Sequence, residues 1–126
     1  MSVSYSLVQR PKPGDPSAPK KFYAVAVKSG EASLRELANQ IAEISTVSSI
    51  DTLAVLESFL KVIPDHLLNG RIVRLGDFGS FRLTIESNGS ETAEAFSSAD
   101  IRGVKARFNP GKMIKSLLKT ASFQRA

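Results

Sequence analysis

Hydrophobic positions near the N-terminus alternate with polar ones. Val3, Tyr5 and Leu7 share one side of a segment running to Val8. A period of two predicts a strand with one covered face. Phe22 to Val27, rich in aromatic and β-branched residues, predicts a second strand. Between them lies RPKPGDPSAPKK, whose prolines at 11, 13, 16 and 19 cannot continue a helix and serve a strand poorly. The start of the chain reads as a two-stranded unit with a long, basic, stiff loop. Packing against the rest of the chain is its simplest role.

After Ser29-Gly30 the period changes. Ser33 and Glu36 have the spacing of a capping box, and Leu34, Leu37, Ala38, Ile41, Ala42 and Ile44 follow at helical intervals. The run Ser45-Thr46-Val47-Ser48-Ser49 interrupts. A second helix is expected from Ser48 or Ser49 to about Leu68, closed by Asn69-Gly70, with Pro64 predicting a kink or break. This helix carries two apolar stripes. Ile50, Leu53, Leu56, Leu60, Ile63 and Leu67 form one, and Val55, Phe59 and Val62 form the other. A surface helix needs only one stripe. The first helix and a sheet can cover one side, and a second copy of the chain is the simplest cover for the other. Leu53, Leu56, Phe59, Leu60 and Ile63 are the expected dimer contacts.

Arg71 to Leu75 predicts a strand, and Gly76-Asp77-Phe78-Gly79 a turn in which Gly76 and Gly79 are free to take positive φ. From Ser80 to Glu86 the alternation is regular: Phe81, Leu83 and Ile85 inward, Arg82, Thr84 and Glu86 outward. Residues 87–90 form a turn or loop, and 91–100 are acidic and irregular, with at most a helical turn near Phe96. Ile101 to Phe108 alternates again, with Val104, Ala106 and Phe108 inward and Lys105 and Arg107 outward. Asn109 and Pro110 then have the residue types of an N-cap and first helical position. In that last helix Met113, Ile114, Leu117 and Leu118 are expected inward, with Lys112, Lys115 and Lys119 on the polar side. The order is strand, strand, helix, helix, three strands, helix, an α+β arrangement. It divides into an N-terminal β extension over residues 1–30 and a main domain over 31–126.

Charge sharpens this picture. The chain is +5 overall, but from Arg102 to Ala126 seven bases and no acid give +7, while six acids and two bases give −4 from Glu31 to Gly70. A segregated basic end favours a polyanionic partner, although a solvated lysine-rich face has the same pattern. Arg82, Lys105 and Arg107 on the outward faces of neighbouring strands, with Lys112 and Lys115 on the helix that follows, are the candidate phosphate contacts. Gly111-Lys112 adds the amides of a helix start. Lys20 and Lys21 are candidates for further contacts.

Catalysis finds little support. His66 is the single histidine and there is no cysteine, so no His/Cys metal-ligand set or thiol nucleophile can be assembled. There is no G-x-S-x-G elbow and no phosphate-cradling G-x-x-x-x-G-K. Asp77-Phe78-Gly79 matches a kinase tripeptide by coincidence, since the chain is too short for a kinase and lacks its other elements. No catalytic residue, metal, cofactor or small-molecule substrate is expected. No apolar run approaches a membrane span, and MSVSYSLVQR lacks a signal-peptide layout, so a cytoplasmic protein is expected.

These residues carry a resemblance. RIVRLGDFGSFRLTI resembles the strand–turn–strand signature of the HU/IHF histone-like family, and VKARFNPGKMIKSLLK its final strand and C-terminal helix. SLRELANQIAEIS and SSIDTLAVLESFLKVIPDHLLNG resemble its paired N-terminal helices. The resemblance spans roughly Ser33 to Lys119. The N-terminal extension, VIPDHLLNG and the acidic loop are most similar to divergent HU-related proteins of Bacteroides-type bacteria. The resemblance implies an intertwined homodimer, a three-stranded antiparallel sheet with a β-arm, and architectural binding of duplex DNA in the nucleoid with weak sequence preference. It also implies an arm-tip proline that wedges between base pairs. This chain departs from the family there. No proline lies between Pro64 and Pro110, and Ser87 to Asp100 is −3 with no base. Sharp bending is therefore not expected. A protein-interaction module on the same scaffold, with weakened DNA binding, is the alternative. RNA is a third partner that charge does not distinguish.

Overall fold

The computed structural model describes residues 1–126. It is an α+β protein with three helices and two three-stranded sheets, in the order β1 (Val3–Arg10), β2 (Lys21–Ala26), α1 (Leu34–Ile44), α2 (Ser49–Leu68), β3 (Val73–Arg74), β4 (Gly79–Ser87), β5 (Ile101–Pro110), α3 (Lys112–Leu118) and β6 (Phe123–Arg125). Met1–Ala32 with Leu117–Ala126 forms one compact unit and Ser33–Ser116 another. No helix is long and apolar enough to cross a membrane.

In the first unit the sheet order is β2-β1-β6. The β1–β2 hairpin is antiparallel, as alternation and the proline loop suggest. The expected two-stranded unit gains a third strand, because β6 pairs parallel with β1, Val3 opposite Phe123 and Tyr5 opposite Arg125. Three residues are too few to carry a periodic signal, and only the exposed edge of β1 made them a strand.

In the second unit α1 and α2 start where the caps predict. The Glu36 amide donates to Ser33 Oγ (3.2 Å) while Glu36 Oε2 accepts from the Ser33 amide (3.0 Å). Ser48 Oγ accepts from the Asp51 amide (3.1 Å). Such caps satisfy amides that have no intrahelical partner. α2 runs unbroken through Pro64, so of the expected kink or break the break is absent. Gly70, at φ 79°, turns the chain out of it. The His66 carbonyl accepts from the Asn69 and Arg71 amides, and its Nδ1 accepts from Arg71 Nη1 at 3.2 Å, which gives this lone histidine a role in closing the helix.

The second sheet, β3-β4-β5, is antiparallel throughout. Phe81, Leu83 and Ile85 stand opposite Phe108, Ala106 and Val104 and form its apolar face. Phe108 packs against Phe81 (4.9 Å between centroids) and Phe78 (5.6 Å). Two details differ from expectation. Asn109 is not a helix cap: the ladder continues through Ser80–Asn109 to Gly79–Pro110, which draws both residues into β5, and α3 begins only at Lys112. Nor does a paired β-arm rise beyond Ser87 and Ile101. Asn88–Asp100 closes on itself, with the Asn88 amide on the Asp100 carbonyl (2.8 Å) and Ser97 and Asp100 capping each other. That polar run has no alternating apolar positions to hold a ribbon together.

A single chain leaves much apolar surface uncovered. Ala38 and Leu67 are its only buried hydrophobic residues. Leu53, Leu56 and Ile63 are half-buried, but Phe59 and Leu60 are exposed, as are Ile50 (79%), Val55 (65%) and Val62. Met113, Leu117 and Leu118 of α3, expected inward, are also exposed, and Ile114 is half-buried.

Candidate nucleic-acid interface

The face of β3-β4-β5 opposite the phenylalanines is basic. Register places Arg74 opposite Ser80, Arg82 opposite Arg107, Thr84 opposite Lys105, and Glu86 opposite Gly103. Strand alternation puts Arg74, Arg82, Lys105 and Arg107 on one surface with Glu86 as its one acid. Arg74, Lys105 and Arg107 are exposed, and Arg82 is half-buried.

Each cation is held differently. Ser80, buried at the foot of the face, and Asn109 beside it leave Arg82 a polar floor. With the Asn109 amide oriented so that its oxygen meets Arg82, that oxygen accepts from Nη2 (3.0 Å) and Nε (3.1 Å). The guanidinium is thus steered by a neutral partner and keeps its charge uncompensated. Lys105 differs, because its Nζ lies 2.6 Å from Glu86 Oε1. An exposed pair of this kind contributes little stability, but a phosphate must compete with Glu86 for the ammonium. Arg107 has no acidic partner and stands directly across from Arg82. Directly opposed like charges destabilise an antiparallel pair by some tenths of a kcal/mol, so this arrangement does not serve the sheet.

Arg82, Lys105 and Arg107, expected from alternation, come together here. Lys112 and Lys115 are exposed on α3, beyond the end of β5. The helix start itself offers less than expected, since the Gly111 amide already donates to the Phe78 carbonyl (2.8 Å). Arg74 was not expected on this face. Its two-residue strand is too short to show a period, and the signal lay in its pairing with Ser80 across the glycine turn. Arg102 is the extra residue of a β-bulge, because Glu86 pairs with Gly103 while Ser87 pairs with Ile101.

The turn that sets this register is built on glycines. Gly76 (φ 59°) and Gly79 (φ 151°) take positive φ. The Leu75 amide donates to the Gly79 carbonyl (2.9 Å), which brings β3 alongside β4.

Comparison with known proteins adds three findings. The model of the HU-HIG family, described as an HU domain fused to wHTH, Ig or a glycine-rich motif, matches residues 1–125. Among solved structures, one from Bacteroides vulgatus ATCC 8482, described as a candidate bacterial DNA-binding protein, superposes with a TM-score of 0.67 at 14% identity. The match covers 98% of this chain and 47% of that one, so the present chain spans about half of its length. At that identity the likeness is one of fold. No curated protein matches the chain.

Proposed function

The chain belongs to the HU-HIG family, and from that premise we propose that it binds duplex DNA as a homodimer, through the basic face of β3-β4-β5 and the lysines of α3. The observation that carries this reading is Arg82 directly opposite Arg107, two unpaired cations on a floor of neutral hydrogen-bonding groups. Phosphate neutralisation needs such a surface, and it accounts for a pairing that sheet stability disfavours. Contacts of this kind position a protein on DNA without reading bases, so binding is largely sequence-independent and architectural, as suits a nucleoid-associated protein.

The homodimer is supported by what one chain leaves bare. Ile50, Val55 and Val62 lie on α2, Ile85 (63% exposed) and Val104 (56%) on the sheet. Fully covering one such side chain stabilises by roughly 1.5–3 kcal/mol, and a second copy offers the same apolar faces in return. Leu53, Leu56, Phe59, Leu60 and Ile63 are the proposed contacts.

A second reading draws on the compact, acidic Asn88–Asp100 loop. It carries Glu91, Glu94 and Asp100 without a base, and it favours a protein-interaction module that keeps the scaffold but binds DNA weakly. Titrating duplex DNA with the protein at several salt concentrations separates the two. Affinity that falls steeply with salt supports DNA binding, and no binding at low salt favours the protein partner.

A further inference from the structure

A second basic surface lies in the N-terminal hairpin. The β1–β2 ladder ends with Arg10 directly opposite Lys21, both exposed. Lys12 and Lys20, also exposed, belong to the connection that this pair closes. None of the four has an acidic partner, since the one salt bridge in the chain joins Lys105 to Glu86. Asp15, the only carboxylate in the connection, accepts from the Ser17 amide (3.2 Å) and hydroxyl (2.7 Å) and leaves the cations unanswered. The pairing therefore repeats the disfavoured one of the other sheet, Arg82 against Arg107.

The cations also stand on a constrained loop. The Asp15 amide donates to the Lys12 carbonyl (3.1 Å), and Gly14, at φ 81°, follows Pro13, the arrangement of a type II turn. The Ala18 amide donates to the Asp15 carbonyl (3.2 Å), and four prolines fix φ along the way. A loop already restricted in this way loses little conformational freedom when an anion binds it.

Two separate sheets of one chain each oppose like charges, Arg82 to Arg107 and Arg10 to Lys21, with no acid paired to any of the four. A bound polyanion accounts for both, whereas hairpin stability accounts for neither. We infer that Arg10, Lys12, Lys20 and Lys21 form a second DNA contact, which takes a stretch of duplex phosphate backbone separate from the one held by β3-β4-β5. The inference rests on the DNA-binding reading, because tethering to a chain already on DNA gives this modest site a high effective concentration of phosphate.

The test uses the full chain and fluorescence anisotropy on duplex DNA over a salt series. The hairpin variant R10Q/K12Q/K20Q/K21Q is compared with the sheet variant R74Q/R82Q/R107Q. The hairpin variant should melt no lower than the wild type, while its salt slope falls in magnitude by about 3.6, at about 0.9 for each of the four phosphates no longer neutralised. R10E, which sets an opposite charge against Lys21, should raise the melting temperature and weaken DNA binding. A purely structural hairpin would leave binding unchanged. A wild-type slope in the hairpin variant, beside a reduced slope in the sheet variant, overturns the second contact and leaves the sheet reading standing. The reverse pattern supports the hairpin contact and overturns the sheet as the binding face. A wild-type chain that binds no duplex even at low salt, about 50 mM, overturns both.

Discussion

Gly79 and Gly111 hold the second sheet to the start of α3 by leaving no room for a side chain between them. A β-carbon on Gly111 would stand 2.9 Å from the Gly79 amide nitrogen and would meet the Asp77 backbone as well. One on Gly79 would stand 2.5 Å from the Asn109 carbonyl oxygen and 2.7 Å from the Phe108 ring. Gly79→Val should therefore cost about 2–4 kcal/mol, combining backbone strain at positive φ with overpacking. Gly111→Ala should cost about 1–3 kcal/mol through the clash alone. Urea unfolding measures both. A Gly79→Val protein as stable as the wild type would mean that the turn does not hold its glycine this tightly.

The uncovered stripe of α2 predicts oligomeric state. Sedimentation should report twice the mass of one chain, and Leu56→Asp or Phe59→Asp should dissociate or unfold the protein, because an unpaired charge cannot stay buried in the proposed seam. A well-folded monomer at micromolar concentration would defeat the dimer.

The basic face predicts a graded response to neutralisation. Arg82→Gln and Arg107→Gln should each weaken binding to all duplexes alike and lower the salt slope by about 0.9. Lys105→Gln should do less, because Glu86 already holds that ammonium at 2.6 Å. Glu86→Gln should tighten binding by freeing it. Equal losses at Lys105 and Arg107 would show that the Glu86 pair dissolves before DNA arrives.

Asn109 offers a subtler test. If its amide oxygen steers Arg82, Asn109→Ala should weaken DNA binding without changing the salt slope, since no charge is lost. A reduced slope would show that Arg82 is no longer presented to phosphate at all.

The closed acidic loop predicts weak bending. It has no proline, and its three acids oppose close approach to phosphate. Energy transfer between dyes at the two ends of a short duplex should change little on binding. Glu91→Gln with Glu94→Gln should tighten binding a few-fold if the loop lies near the backbone, and an unchanged affinity would put it away from the DNA.

Periodicity and capping determined much of this protein. The Ser33–Glu36 box and Ser48 mark the starts of α1 and α2 because a cap is a local exchange between a side chain and nearby amides. Alternation over Ser80–Glu86 and Ile101–Phe108 separated the phenylalanines from Arg82, Lys105 and Arg107, because a strand's two faces depend only on a residue's parity. Gly76 and Gly79 marked the turn between strands. Pairing between distant segments was decided by tertiary structure alone. Register set Arg82 against Arg107 and Arg10 against Lys21, brought Arg74 onto the basic face through Ser80, and gave Lys105 to Glu86. It drew Asn109 from the expected helix cap into the ladder, and made a strand of Phe123–Arg125 beside β1. The physical reason is that a side chain's charge and a segment's period are local quantities, whereas which charges face each other depends on how backbone hydrogen bonds align strands far apart in the chain.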